Sequence, residues 1–380
     1  MEFEKNYVLL IKDYQESYFF YKNILIPSLS FKVYKIDYNL KNINYNVNIT
    51  NKFKNNPFFS HKYFFYRFLK YFKNLKIFPV KLTFYLQKIT YLSKKIEKVD
   101  FTHTFLFEAN FNNEKISFYY SFPSIYEILK TKILFNFFLN NKLKTINDIP
   151  KNLPLLFGMG CAGVLFHEIV SHPLEGDVFK DSFYRDKIGE KVAKENLTVF
   201  DDPLYDGLCL RRKFDDEGED CFKKALIEKG ILKSLLCNNI FSKIFLFPPG
   251  NARISLQNPI PYPRSYNTIV DGVKGNEISF NEIYPNFLYI PIIKKASFIP
   301  PDRVRVLAGP LFYYFNGKIY GKINSLFIEE KINKFLSNID FIGEKIENCI
   351  NFGTCTKDGG KVFTGASSPL LSFLNINYKI

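Results

Sequence analysis

GMGCAGVLFHEIVSHPLEGD, residues 158 to 177, carries two of the four histidines in a chain of 380 residues and sets a glutamate directly after the first. The segment just before it, LPLLF (153–157), is an uninterrupted apolar run of strand length, so it reads as a buried strand. Gly158 and Gly160 then mark a tight turn, and CAGVLFHEIVS (161–171), with almost no charge, reads as a buried helix. Strand, turn and buried helix predict a histidine pair held inside a folded core. Prolines and glycines become frequent from about residue 148 onward, and short β-like stretches follow to residue 380.

The histidines stand five apart in an HExxxH pattern, His167 and His172, around Glu168. In a regular α-helix, residues five apart point roughly 140° away from one another, so a strict helix cannot aim both rings at one ion. Pro173 disfavours α geometry for His172, and the helix is expected to end or widen there, which lets the second ring swing back. Two buried imidazoles and a carboxylate are costly without a shared cation. The alternative is a pair of helix histidines satisfied by hydrogen bonds. Glu168, adjacent to one imidazole, suits the role of general base for an activated water. A catalytic zinc takes three protein ligands and keeps one open position. Glu175, Asp177 and Cys355, the last in the glycine-bounded turn FGTCTKDGG (352–360), are candidates for the third, and spacing leaves the choice open.

The rest of the composition constrains function less. The chain has 43 Phe, 25 Tyr, no Trp and a net charge of +15, a bias that AT-rich coding produces without functional demand. The charge reads as a solvated lysine surface; a nucleic-acid binder remains an alternative whose affinity would fall steeply with salt. No run of about 18 apolar residues is present, and the first residues lack a basic stretch leading into an apolar core, so a cytoplasmic protein is expected. Six cysteines without a CxxC pair read as reduced thiols or ligands.

Upstream of residue 148, apolar residues at Leu82, Tyr85, Leu86, Ile89, Leu92, Ile96 and Val99 fall on one helical stripe and predict an amphipathic helix. Phe101, His103, Phe105, Phe107 and Ala109 alternate as in a strand, Asn112 and Asn113 suggest a turn, and KISFYYSF (115–122) a return strand. His103 reads as a core histidine. Ser124 and Glu127 form a capping box for a helix running to about Leu139. The fold class expected is α+β: an N-terminal and central α+β region over 1–147, then a β-rich catalytic domain over 148–380 carrying a buried HExxxH helix.

The run GMGCAGVLFHEIVSHPLEGDVF resembles the signature of the TldD/PmbA metallopeptidases. ENLTVFDD (195–202), FDDEGED (214–220), LIEKGILKSLL (226–236), PPGNARISLQNPIPYPRSYNT (248–268) and CTKDGG (355–360) follow in the family's order. The resemblance implies a zinc-dependent peptidase with His167, His172 and Cys355 as metal ligands and Glu168 as base. Because HExxxH is retained, it also implies the TldD-type catalytic subunit, pairing with a PmbA-like companion or with itself. Its substrates would be peptides or unfolded segments that add as a strand to a sheet. Arg253, Tyr266 and Asn267 lie in a family-like loop and are candidates for a further oxyanion donor or for a structural role. Asp215 and Asp216 read as turn-formers. Residues 1–80 show no match, Thr356 replaces the family's glycine after the cysteine, and the glycine-rich β segment of the family reads KASFIPPDRVRVLAGPLFYYFNG (295–317). That divergence motivates a second expectation, an inactive scaffold or partner subunit of such a complex.

Overall fold

The computed structural model describes residues 6–21, 24–39, 44–51, 80–92, 97–111, 114–120, 130–131, 133, and 143–380 apart from 256, 259 and 277–283. Sheet dominates. Strands β1 (Asn6–Tyr21), β2 (Ile24–Asn39), β3 (Asn44–Asn51), β4 (Val80–Leu92), β5 (Glu97–Phe111) and β6 (Glu114–Tyr120) form one antiparallel sheet in the order β3-β2-β1-β4-β5-β6.

The amphipathic helix expected over Leu82 to Val99 is not what the described residues form: 82–92 lie in β4 and Val99 at the start of β5, while Ile96 lies outside the described residues. Spacings of three and four misled because apolar residues stand at both odd and even positions of the sequence, while Thr83, Tyr85, Ile89, Thr90 and Tyr91 are β-branched or aromatic, types that favour a pleated surface. Pairing with β1 on one side and β5 on the other gives the β4 backbone two ladders. One face of β4 then packs on the rest of the protein: Thr83 and Ile89 are buried, Tyr85 meets Phe363 at 5.4 Å between ring centroids, and Tyr91 closes over Gly218. The strand expected at 101–109 lies within β5, and the return strand is β6, in register from Phe105↔Tyr120 to Phe111↔Glu114. Phe101 is exposed, whereas Phe105 and Phe107 are buried. The Asn112–Asn113 turn, the side chain of His103 and most of the 124–139 helix lie outside the described residues; 130, 131 and 133 are helical.

The second half builds around β7 (Leu155–Phe157), the helical turn α1 (Ala162–Phe166), β8 (Val199–Asp201), β9 (Lys224–Glu228) and β10 (Ile231–Leu232). After them come α2 (Asn239–Phe245), β11 (Ala252–Arg253), β12 (Tyr262–Pro263), β13 (Asn267–Val270), β14 (Phe287–Ile290), β15 (Ile293–Ile299) and β16 (Arg303–Ala308). The remainder is β17 (Leu311–Phe315), β18 (Lys318–Ile323), β19 (Leu326–Lys331), α3 (Ile332–Ser337), β20 (Ile339–Ile342) and β21 (Glu347–Asn348), then β22 (Thr354–Lys357), β23 (Gly360–Phe363), β24 (Gly365–Ser368) and β25 (Leu371–Phe373).

One mixed sheet runs β10-β9-β8-β13-β24-β21 and another β18-β17-β14-β7-β25-β20; β15, β16 and β19 form a third, with β15 at its edge. β7 is an inner strand, parallel to β14 and antiparallel to β25, which is why LLF is apolar without alternation. The chain then reverses through Met159 and Gly160, both at positive φ; a Cβ on Gly160 would lie 2.3 Å from Glu347 O. α1 is wholly buried, and Phe166, Ile169 and Val170 join the main apolar core with Val199, Leu226 and Phe373. Such a helix can be read from sequence because no face of it meets water. Among the described residues no helix is long and apolar enough to cross a membrane.

Candidate metal centre

Directly after α1 the backbone widens into a π turn over His167–Ser171, in which the His172 N–H donates to the His167 carbonyl, five residues back. The widening spans His167–Ser171, whereas the sequence placed the end or widening of the helix at His172. An i→i+5 turn brings residues five apart onto one side, as an α turn does for residues four apart. His172–Leu174 then tightens to a 3-10 turn with Pro173 just inside it. The result is an edge-to-face pair of imidazoles with centroids 4.6 Å apart.

Cys355 comes from the hairpin β22–β23, where it pairs with Val362, 183 residues after His172. Its Sγ lies 3.0 Å from His172 Nε2, and one ligand atom from each of His167, His172 and Cys355 lies within 4.8 Å of the others. His167 is almost completely buried; its Nδ1 is 3.1 Å from Thr268 Oγ1, and its Nε2 is buried without a hydrogen-bond partner. Ser171 Oγ at 2.7 Å also reaches Thr268 Oγ1, and Ser265, which lies 3.3 Å from that hydroxyl, donates to the buried Asp201. An orphaned buried imidazole nitrogen beside a thiol and a second imidazole is the donor set a zinc ion satisfies, with a fourth position left open. The residues present therefore fit a divalent metal.

Charges around the cluster favour the ligand form of the cysteine. Burial alone raises the thiol, but the charge of the facing His172 and its contact with the sulfur, with the nearby His167 adding to it, hold Cys355 well below its ordinary value. Burial likewise works against protonated His172, and Cys355, Glu175 and Glu168 outweigh it, so this imidazole is held well above its usual range. Glu175, fully buried, resists the effect of burial through Lys357 and His172 and stays far below the normal carboxylate range.

Glu175 and Asp177, considered above as third ligands, turn to other partners. Glu175 Oε2 lies 3.2 Å from His172 Nδ1 and accepts from Lys357 Nζ at 2.6 Å; the same ammonium reaches Asp177 at 2.7 Å. Glu168 Oε2 accepts the Phe298 N–H of edge strand β15 at 2.7 Å. It lines a cavity of about 940 Å³ together with His172 and Cys355. β15 (Lys294 to Phe298) forms one wall, residues 351–358 another, and Ile116, Ser117 and Tyr119 of β6 a third. The diverged 295–317 segment thus contributes to the cavity itself.

Arg253, Tyr266 and Asn267 do not line that cavity. Arg253 donates to Ser265 O and stacks its guanidinium 4.9 Å from the Tyr266 ring, while Asn267 Nδ2 donates to Asp202 O and Leu210 O. They hold the loop around the site. Asp215 accepts from the backbones of Glu217, Glu219 and Ala252, and Asp216 from Ile254 N and Arg212, so both brace a turn. Sequence reading passed over Arg264, whose Nη2 donates to Cys355 Sγ at 3.1 Å, and Thr268, which backs His167. Neither residue type signals a metal site without its neighbours in space.

A sheet-rich fold with a buried His, His, Cys cluster at a π turn defines a candidate metalloprotein. Residues 150–377 match the family described as the PmbA/TldA metallopeptidase C-terminal domain, and the chain belongs to the TldD/PmbA family. A protein of Methanothermobacter thermautotrophicus called a metalloprotease is 30% identical over 226 residues, 56% of this chain and 47% of that protein. The zinc metalloprotease TldD homolog of Saccharolobus solfataricus is 25% identical over 237 residues, covering 60% and 52%. The chain thus spans about half the length of the curated relatives it matches. Its fold is similar to that of TldE from Thermococcus kodakarensis, with a TM-score of 0.76 at 14% identity, covering 99% of this chain and 96% of that one. A putative modulator of a DNA gyrase from Thermotoga maritima gives 0.72 at 16% identity, covering 98% and 95%.

Proposed function

We propose that this chain is a zinc-dependent peptidase of the TldD type, with His167, His172 and Cys355 as zinc ligands and Glu168 as general base. One observation carries it: the buried, unpartnered Nε2 of His167 beside a sulfur and a second imidazole, with a carboxylate reaching the same cavity. When bound, zinc would polarise the scissile carbonyl and make a water acidic enough to ionise near neutrality. One oxygen of Glu168 is held by the Phe298 N–H. The other is left to take the proton of the attacking water and pass it to the leaving amine.

Substrate binding follows from β15. Phe298 N points away from β16 towards Glu168, and alternation along the strand turns the peptide groups of Ala296 the same way. An extended peptide or unfolded segment pairing with that edge would pass beside Glu168, recognised through its backbone with little side-chain selection. We read residues 148–380 as the unit that carries the chemistry, in the cytoplasm. Its partner would be a PmbA-like companion or a second copy; the likeness to TldE supports the pairing.

The test is metal analysis and peptide hydrolysis on the full chain, alone and with a companion subunit. Expected are one zinc per chain, cleavage abolished by a chelator and restored by zinc, and metal occupancy well below one in His172→Ala and Cys355→Ser. Full occupancy in Cys355→Ser would remove the sulfur from the ligand set. A zinc-loaded, correctly paired sample that cleaves no peptide would favour an inactive scaffold.

A further inference from the structure

Arg264 is 2% exposed and sits between the sulfur and a carboxylate. Its Nη2 donates to Cys355 Sγ at 3.1 Å, whereas its Nε, 4.0 Å from Glu175 Oε1, is buried without a hydrogen bond. A guanidinium ordinarily turns its planar fork onto a carboxylate. Here a buried carboxylate is within reach, yet the arginine gives its hydrogen bond to sulfur. Glu175 is the hub on the other side: besides His172 Nδ1 and Lys357 Nζ it accepts the Ser265 N–H at 3.4 Å, and it is completely buried. Lys357 stands two residues after Cys355 on β22, and Arg264 immediately precedes Ser265. One carboxylate and one guanidinium therefore join the three segments that deliver His172, Cys355 and the 264–265 loop.

We infer that Arg264 and Glu175 are positioning residues of the metal centre: Arg264 donates to the Cys355 sulfur while that sulfur is a ligand, and Glu175 fixes Nδ1 of His172 as the donor so that Nε2 presents its lone pair to the ion. The inference rests on the ligand assignment proposed above. Metal-bound histidines characteristically give their second nitrogen to such a carboxylate, and hydrogen bonds around a thiolate ligand tune its electron donation. A charged donor at sulfur lowers the energy of its lone pairs, so charge transfer from sulfur to metal requires more energy.

The experiment uses the full chain loaded with cobalt(II) as a spectroscopic probe, then with zinc. Wild type is expected to show a sulfur-to-cobalt charge-transfer band that Cys355→Ser abolishes. A wild type that binds cobalt without that band overturns the ligand assignment itself. Given the band, Arg264→Met is expected to keep it but move it to longer wavelength, and Arg264→Lys to return it towards the wild-type position. A role confined to folding would change the thermal midpoint and leave the band in place. Glu175→Gln is expected to weaken zinc binding by about tenfold or more in chelator competition, measured on samples whose circular dichroism matches wild type. If Arg264→Met does not fold, Arg264→Gln, uncharged and shorter, takes its place. An unmoved band, or zinc affinity in Glu175→Gln within twofold of wild type, overturns the inference.

Discussion

Replacing Gly163 with alanine should loosen the protein and its metal site together, although alanine is the better helix former. Gly163 lies in α1, four residues before His167, and faces β24: a Cβ there would lie 2.7 Å from Ser367 N, 2.9 Å from Ser367 O and 3.0 Å from Ser367 C. All three atoms are backbone in a paired strand, so they cannot rotate away. Ordinary contact begins near 3.4 Å, and the helix must retreat by roughly 0.7 Å. Alanine gains up to about 1 kcal/mol in helix propensity, and less here because Gly163 is only the second residue of a short helix. Overpacking against a rigid neighbour costs about 1 to 3 kcal/mol. The net expectation is a loss of about 1 to 2 kcal/mol. Because a site tolerates only about 0.5 Å of displacement, zinc affinity should fall as well. Urea unfolding of the zinc-free protein, followed by circular dichroism, measures the first effect, and chelator competition the second. Gly343→Ala is the control, since its nearest Cβ contact is an ordinary 3.4 Å from Leu370. A Gly163→Ala protein as stable as wild type, with unchanged zinc affinity, would refute the close approach of α1 to β24.

Glu168→Gln should lower peptide turnover by about 10² to 10⁴ with zinc content near that of wild type; retained turnover would remove Glu168 as base. Phe298→Pro deletes the N–H that holds Glu168 on an edge strand, where proline is tolerated. Turnover should drop while zinc content and β16 pairing persist, and an unchanged rate would show that this hydrogen bond does not orient the base. Burial, with Glu219 and Asp216 nearby, raises Glu217 from 4.5 to about 7, against the Asn239 N–H that it accepts. The native state then holds this proton more tightly than the unfolded chain, so stability present below pH 4.5 is lost as pH rises through 7, by at most about 3 kcal/mol. Glu217→Gln should be more stable than wild type by about 1 to 3 kcal/mol at pH 8 and equal to it near pH 4; urea midpoints that run parallel across that range would contradict the burial of a charge there.

The candidate site was legible where one local feature pointed to it. His167, Glu168 and His172 announce themselves by spacing, and Pro173 indicates that the helix must depart from α geometry. The strand LLF and the Gly160 turn were equally clear, since full burial and left-handed φ each leave a residue-level mark. Cys355 stood out through its glycine-bounded turn and through the family resemblance, because nothing in spacing alone relates a residue to another 183 positions away. The 82–99 segment went wrong for the converse reason. A segment with apolar residues at both odd and even positions has no clean period of two, and its partners β1 and β5 exist only in the folded sheet. Arg264 and Lys357 escaped notice because a cation near a thiolate and an acid has meaning only once those groups are neighbours.

The long separation between the paired rings and their sulfur also bears on the protein's biosynthesis. At about 5 to 20 residues per second, a ribosome takes roughly 10 to 40 s to travel from His172 to Cys355. Throughout that interval the emerging polypeptide has two imidazoles and neither the hairpin nor the wall at 351–358. On the ligand assignment proposed above, the candidate centre cannot assemble before that hairpin emerges, so the growing polypeptide carries an incomplete donor set for most of its synthesis.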